Sequence, residues 1–131
     1  MKTLKIEHLA CYLPYGLKGY SNKAIKLKTG GFIPKEHTLS ITNVGDLYAE
    51  NKLHLIKPIL RPLSDYNDIN SKAMMELNCD LTDQMNICEL AQKTMSLHKI
   101  PYSTICVMNE NHIDYHNLIE DGLAVDINTL K

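Results

Sequence analysis

His112 and His116 stand four residues apart in the run His112-Ile113-Asp114-Tyr115-His116. On a helix that spacing places two imidazoles on one face, where both can ligate a metal. Zinc-dependent hydrolysis at such a pair also needs a glutamate directly after the first histidine as general base. Ile113 occupies that position, and Asp114 reads as a helix cap that separates the two rings. Cys79, Cys88, His98 and Cys106 offer a three-thiolate, one-imidazole set, with spacings of nine, ten and eight residues. Structural zinc sites bring two ligands within two to four residues, so this set does not have a zinc pattern. Cys106 and His112 are the least implausible nucleophile and base, but no glycine-rich nucleophile turn surrounds any cysteine or serine. Gly30-Gly31 is not followed by Lys-Ser/Thr and is not a phosphate loop. These residues point to no catalytic site, no metal and no cofactor, and the chain reads as a binding protein rather than an enzyme.

Two charged sets are candidates for binding. Lys18, Lys23, Lys26, Lys28 and Lys35 are interleaved with Tyr12, Tyr15, Tyr20 and Phe32. Cations alternating with aromatic rings can hold a nucleic-acid backbone and stack on its bases. The same lysines also fit a solvated sheet face that keeps its edge from pairing with another chain. Glu110, Asp114, Glu120, Asp121 and Asp126 gather near the C-terminus, where they could dock on a basic groove of a protein that handles nucleic acid. They fit a solvated helix equally well. Behind a net charge of −1, residues 1–65 carry +5 and residues 66–131 carry −6. Arg61 is the single arginine, which argues against sequence-specific reading of DNA and leaves backbone contact through lysines open.

The elements that must position these residues follow from periodicity. A length of 131 residues, 44% hydrophobic and 22% charged, is that of one folded domain and not of a disordered or fibrous chain. No apolar run is long enough to span a membrane, and the start of the chain lacks the apolar stretch of a signal peptide, so a reducing cytoplasm and free thiols are expected. Ile6, Leu9, Ala10 and Leu13 fall at helical spacing, and Pro14 and Gly16 end that helix. The segment from Leu17 to Thr29, with Ala24–Lys28 alternating, reads as strand, as does His37–Thr42. Asn43–Asp46 reads as a turn, followed by short strands over Asp46–Glu50 and Lys52–Ile56. Pro58 and Pro62 mark Ile59-Leu60-Arg61 as an edge or a connector.

From Ser64 the period changes to helical. Helices are expected over Asp68–Leu77, from Asp80 or Thr82 to about Leu97, over Thr104–Asn111 and over Tyr115–Asp121. The expected inward residues of the second helix are Met85, Cys88, Leu90 or Ala91, and Met95. Leu123–Ile127 closes the chain as a docked extended tail. The expected fold is a single α+β domain over 1–131. A short N-terminal helix and a small antiparallel sheet form its basic part, 1–63. An acidic helical part, 64–131, packs on one face.

Three stretches, 4–18, 57–65 and 112–130, resemble a group of short proteins of phages and mobile elements in Bacteroidota. They include Cys11-Tyr12-Leu13-Pro14-Tyr15-Gly16, Lys57-Pro58-Ile59-Leu60-Arg61-Pro62 and Ile119-Glu120-Asp121-Gly122-Leu123-Ala124-Val125-Asp126. The group has no assigned activity, so no catalytic residue carries over. The resemblance implies a small cytoplasmic protein that acts by binding. It is similar in setting to anti-CRISPR proteins that inhibit the RNA-guided RNase of type VI-B systems. The expected partner is a host defence nuclease with its guide RNA. The alternative is a small nucleic-acid-binding accessory protein that uses the lysine-rich strand.

Overall fold

The computed structural model describes residues 3–28 and 30–130. Thr29, at the end of the first segment read as strand, lies outside them. The fold is α+β, as expected: the strands of the first 63 residues pair antiparallel, and two short strands from the second half join the sheet in parallel. Helix α1 (Ile6–Ala10) and a single 3₁₀ turn (Leu13–Tyr15) lead into β1 (Lys18–Tyr20), then β2 (Ile25–Lys26), β3 (Phe32–Ile33) and β4 (Glu36–Thr38). β1 pairs antiparallel with β4, while β2 and β3 form a separate two-stranded ribbon. Gly19 sits mid-strand because the His37 and Leu39 side chains cover it. A Cβ there would lie 3.0 Å from His37 Nε2 and 3.1 Å from Leu39.

The segment expected as a turn and a strand is instead helix α2 (Ile41–Ala49). Ser40 caps it: its Oγ accepts the Asn43 N–H at 3.1 Å, and Asn43 Oδ1 accepts the Ser40 N–H at 2.8 Å. This reciprocal box nucleates the helix, and Val44 and Leu47, one turn apart, bury its inner face. Asn51, at φ 56°, ends the last turn in the left-handed region, where asparagine is tolerated.

Strand β5 (Lys57–Pro62) is the centre of the sheet and not an edge. β1 pairs antiparallel with its start, and β6 (Ile113–Asp114) and β7 (Val125–Asp126) pair parallel with its end and middle. Each ladder is two residues long, so the two prolines each cost little. Arg61, between them, still donates its N–H to the His112 carbonyl at 2.8 Å. The docked tail appears as expected, as β7.

In the second half, α3 (Lys72–Met75) is capped by Ser71 and α4 (Leu81–Ala91) by Asp80; α5 spans Tyr102–Glu110. α4 ends earlier than expected, with Lys93 in the left-handed region at φ 64°. Its inner face is Asp83, Ile87, Cys88 and Leu90, while Met85 is 49% exposed instead of buried. The expected last helix is absent: 115–122 is a chain of turns. Two apolar clusters result. One is built on α1, α2 and the sheet, the other on the helices with Tyr66 and Ile113, and Tyr115 packs against both. Among the described residues no helix is long and apolar enough to cross a membrane.

Candidate nucleic-acid interface

The β1–β5 register sets Tyr20 opposite Lys57. Beyond Tyr20 the chain turns through Ser21, whose N–H donates to the Lys35 carbonyl at 2.9 Å and whose Oγ donates to the Lys23 carbonyl at 2.8 Å. This turn brings β2 back across the 3₁₀ turn Leu53–Leu55 and leaves a groove of about 470 Å³ between them. Lys23, Lys26, Lys52, Lys57 and His54 line it together with Tyr20, and no carboxylate does.

The lysines are not equivalent. Lys52 Nζ donates to the Lys26 carbonyl at 2.9 Å and to Glu50 Oε1 at 3.1 Å. It ties β2 to the α2–β5 connection and is spent structurally. Glu50 Oε1 also accepts the Lys28 N–H at 2.9 Å, which with Lys52 holds its carboxyl below the usual glutamate range. Lys23, Lys26 and Lys57 are exposed and make no ion pair among the described residues. Three such ammonium groups around a hollow without acids make a local positive potential on a chain of near-zero net charge.

Of the five lysines singled out in the sequence, Lys23 and Lys26 enter the groove. Lys18, Lys28 and Lys35 are exposed outside its lining. Lys52, Lys57 and His54 are brought in from more than 25 residues further along the chain, and only the β1–β5 pairing reveals them. Of the interleaved rings, Tyr20 lines the groove and Phe32 is 67% exposed on β3. Tyr12 is fully buried, its hydroxyl donating to the Ile113 carbonyl at 2.6 Å, so it is a core residue and not a stacking platform.

The acidic set does not form one face. Glu110 and Glu120 are exposed, and Asp121 and Asp126 are half-buried. Asp126 Oδ1 accepts the Asn128 N–H at 2.9 Å. Asp114 is 4% exposed, and its carboxylate accepts the backbone N–H groups of His116, Leu118 and Ile119. It caps as expected, but it caps a turn, and it is unavailable to a partner.

His112 and His116 are not on one helix face. His112 lies at φ 56° after α5 and donates from Nε2 to the Tyr15 carbonyl at 2.8 Å. The His116 ring lies against Tyr115 and His8, with centroids 4.4 and 5.7 Å away. Among the described residues no three His, Cys, Asp or Glu side chains form a group that could hold a metal. Cys88 is buried and Cys11, Cys79 and Cys106 are half-buried.

Burial lowers the pKa of His37, His112 and His116 below the ordinary imidazole value. Arg61 adds to the effect at His112 and His8 at His116, where Asp114 opposes it. At His37 the unpartnered Nε2 is buried against Gly19. Such groups bind protons more readily in the unfolded chain, so stability rises with pH through this range. The midpoint of urea unfolding is therefore expected to fall as pH drops from about 7 toward about 5, starting near the ordinary histidine value of about 6.5. His116→Asn is expected to flatten that dependence.

No family model matches the chain, and neither a curated protein nor a solved structure matches it.

Proposed function

We propose that the chain acts by binding, and that the lysine groove holds the sugar–phosphate backbone of a nucleic acid. The observation that carries this reading is the groove lining itself: Lys23, Lys26 and Lys57, which make no ion pair among the described residues, with His54 and no carboxylate in the lining. Lysines act on phosphates as point charges, so the contact is tolerant of sequence, in keeping with the single, half-buried arginine. No catalytic step is part of the reading. In the setting implied by the resemblance to phage proteins of Bacteroidota, the nucleic acid is the guide or target RNA of a host RNA-guided nuclease. The chain then acts as an anti-CRISPR inhibitor in the host cytoplasm. The acidic set contributes less to this reading, since only Glu110 and Glu120 are exposed.

The test is fluorescence anisotropy of a labelled RNA across a salt series. Three phosphate contacts give a log–log slope of about −2 to −3, depending on strandedness. Replacing Lys23, Lys26 and Lys57 together by glutamate is expected to weaken binding at least about tenfold and flatten the slope. Replacing Lys18, Lys28 and Lys35 together by glutamate, outside the groove, is the control matched in charge and should cost far less. No binding at low salt, or equal losses in both variants, would overturn the groove. Unchanged RNA cleavage by a type VI-B effector after addition of the protein would remove the inhibitor role and leave the groove standing.

A further inference from the structure

On the other side of His54 lies a second hollow of about 880 Å³, bounded by α1 and the end of α2. His54 lines both. The two differ in chemistry. The first has four lysines and no acid. The second has one lysine and one glutamate, Lys5 and Glu7, around Ile6, Leu53 and Tyr48. Tyr48 is 63% exposed on the last turn of α2, and Ile6 is 40% exposed beside the hollow.

We propose that the occupant is a single-stranded nucleic acid, its backbone in the lysine groove and an adjoining base in the hollow beside Tyr48. This rests on the groove reading above. Phosphates are drawn to the first hollow and not to the second, where Lys5 and Glu7 offset each other, whereas a base is uncharged, flat and apolar on its faces. An exposed tyrosine ring at the end of a cationic track is a stacking platform for any base. A duplex keeps its bases paired inside and cannot offer one to the hollow.

The experiment compares three labelled probes of equal length at low salt: oligouridylate, the corresponding abasic strand, and duplex RNA. Oligouridylate is expected to bind about tenfold more tightly than the abasic strand, the scale of one base stacked on an aromatic ring. Tyr48→Ala should erase that difference while leaving affinity for the abasic strand and the salt slope unchanged, and Tyr48→Phe should retain it. Equal binding of oligouridylate and abasic strand, or a duplex that binds as tightly as the single strand, would overturn the base-binding hollow but leave the lysine groove intact. Failure of all three probes to bind would instead remove the groove reading.

Discussion

Asp114→Ala is expected to cost about 3 kcal/mol or more of folding stability, read as a lowered midpoint in urea unfolding followed by circular dichroism. The carboxylate is buried on β6 and accepts from His116, Leu118 and Ile119 at 3.3, 3.0 and 2.9 Å. Hydrogen bonds to a charged group are worth about 1.5–3 kcal/mol each, though three on one group do not simply add. Alanine would strand those donors in a loop that has no helix to supply other acceptors. The loop also places Leu118, 1% exposed, in the N-terminal cluster and leads Ala124 and β7 onto β5. For a chain of this size the loss corresponds to a fall in melting temperature of about 10 °C. Asp114→Asn, which keeps one acceptor oxygen, should lose distinctly less. Equal stability of Asp114→Ala and the parent would show that the carboxylate does not organise the turn.

The second large effect is expected at Asp83. It is 8% exposed in the first turn of α4, and its Oδ1 accepts the Ser103 hydroxyl at 3.1 Å and the Thr104 hydroxyl at 2.7 Å. Thr104 is fully buried and also accepts from Asn86 Nδ2 at 3.1 Å. One carboxylate thus links the starts of α4 and α5. Asp83→Ala leaves a buried hydroxyl donor without its acceptor and should cost about 2–3 kcal/mol. Asp83→Asn, which retains an oxygen, should recover part of this. A double-mutant cycle with Thr104→Val separates the two hydroxyls: strong coupling is expected for Thr104, and additive losses would show that the shorter bond contributes nothing.

Those two carboxylates also show what was legible in the sequence. The cap Asp80 and the apolar faces of the later helices are local features, so periodicity and side-chain chemistry place α4 and α5, whereas α3 keeps only Lys72–Met75 of the expected Asp68–Leu77 because its cap is Ser71. Asp83 gives no such signal, because a carboxylate in a first turn ordinarily faces water. Helix α2 was obscured by the alternation of His37–Thr42 and by Asn43-Val44-Gly45-Asp46, which has turn composition. The local signal for this helix is Ser40 three residues before Asn43, a capping box with asparagine in place of the usual acid or glutamine. Pro58 and Pro62 argued for an edge because strand rules assume long ladders, whereas β5 is assembled from pairs of residues. For the interface, the set of lysines interleaved with aromatic residues contains Lys23 and Lys26. Lys57, His54 and Tyr48 join them only through tertiary packing, which no local spacing encodes.

The construction of β5 also constrains the order in which the chain can fold as it is synthesised. Residues 57–62 emerge from the ribosome with only β1 available to pair with them. Their parallel partners, β6 and β7, lie some fifty to sixty-five residues downstream. Until those arrive, Ile59 and Leu60 present apolar side chains and open backbone groups on a nascent chain, the condition under which strands pair with the wrong neighbour. Closure of the sheet must therefore follow synthesis of the helical half, and the long loops it closes make this the slow step of folding. The two prolines supply a safeguard during that wait. They remove N–H donors from the strand that stays open longest, and a strand short of donors is a poor template for intermolecular pairing.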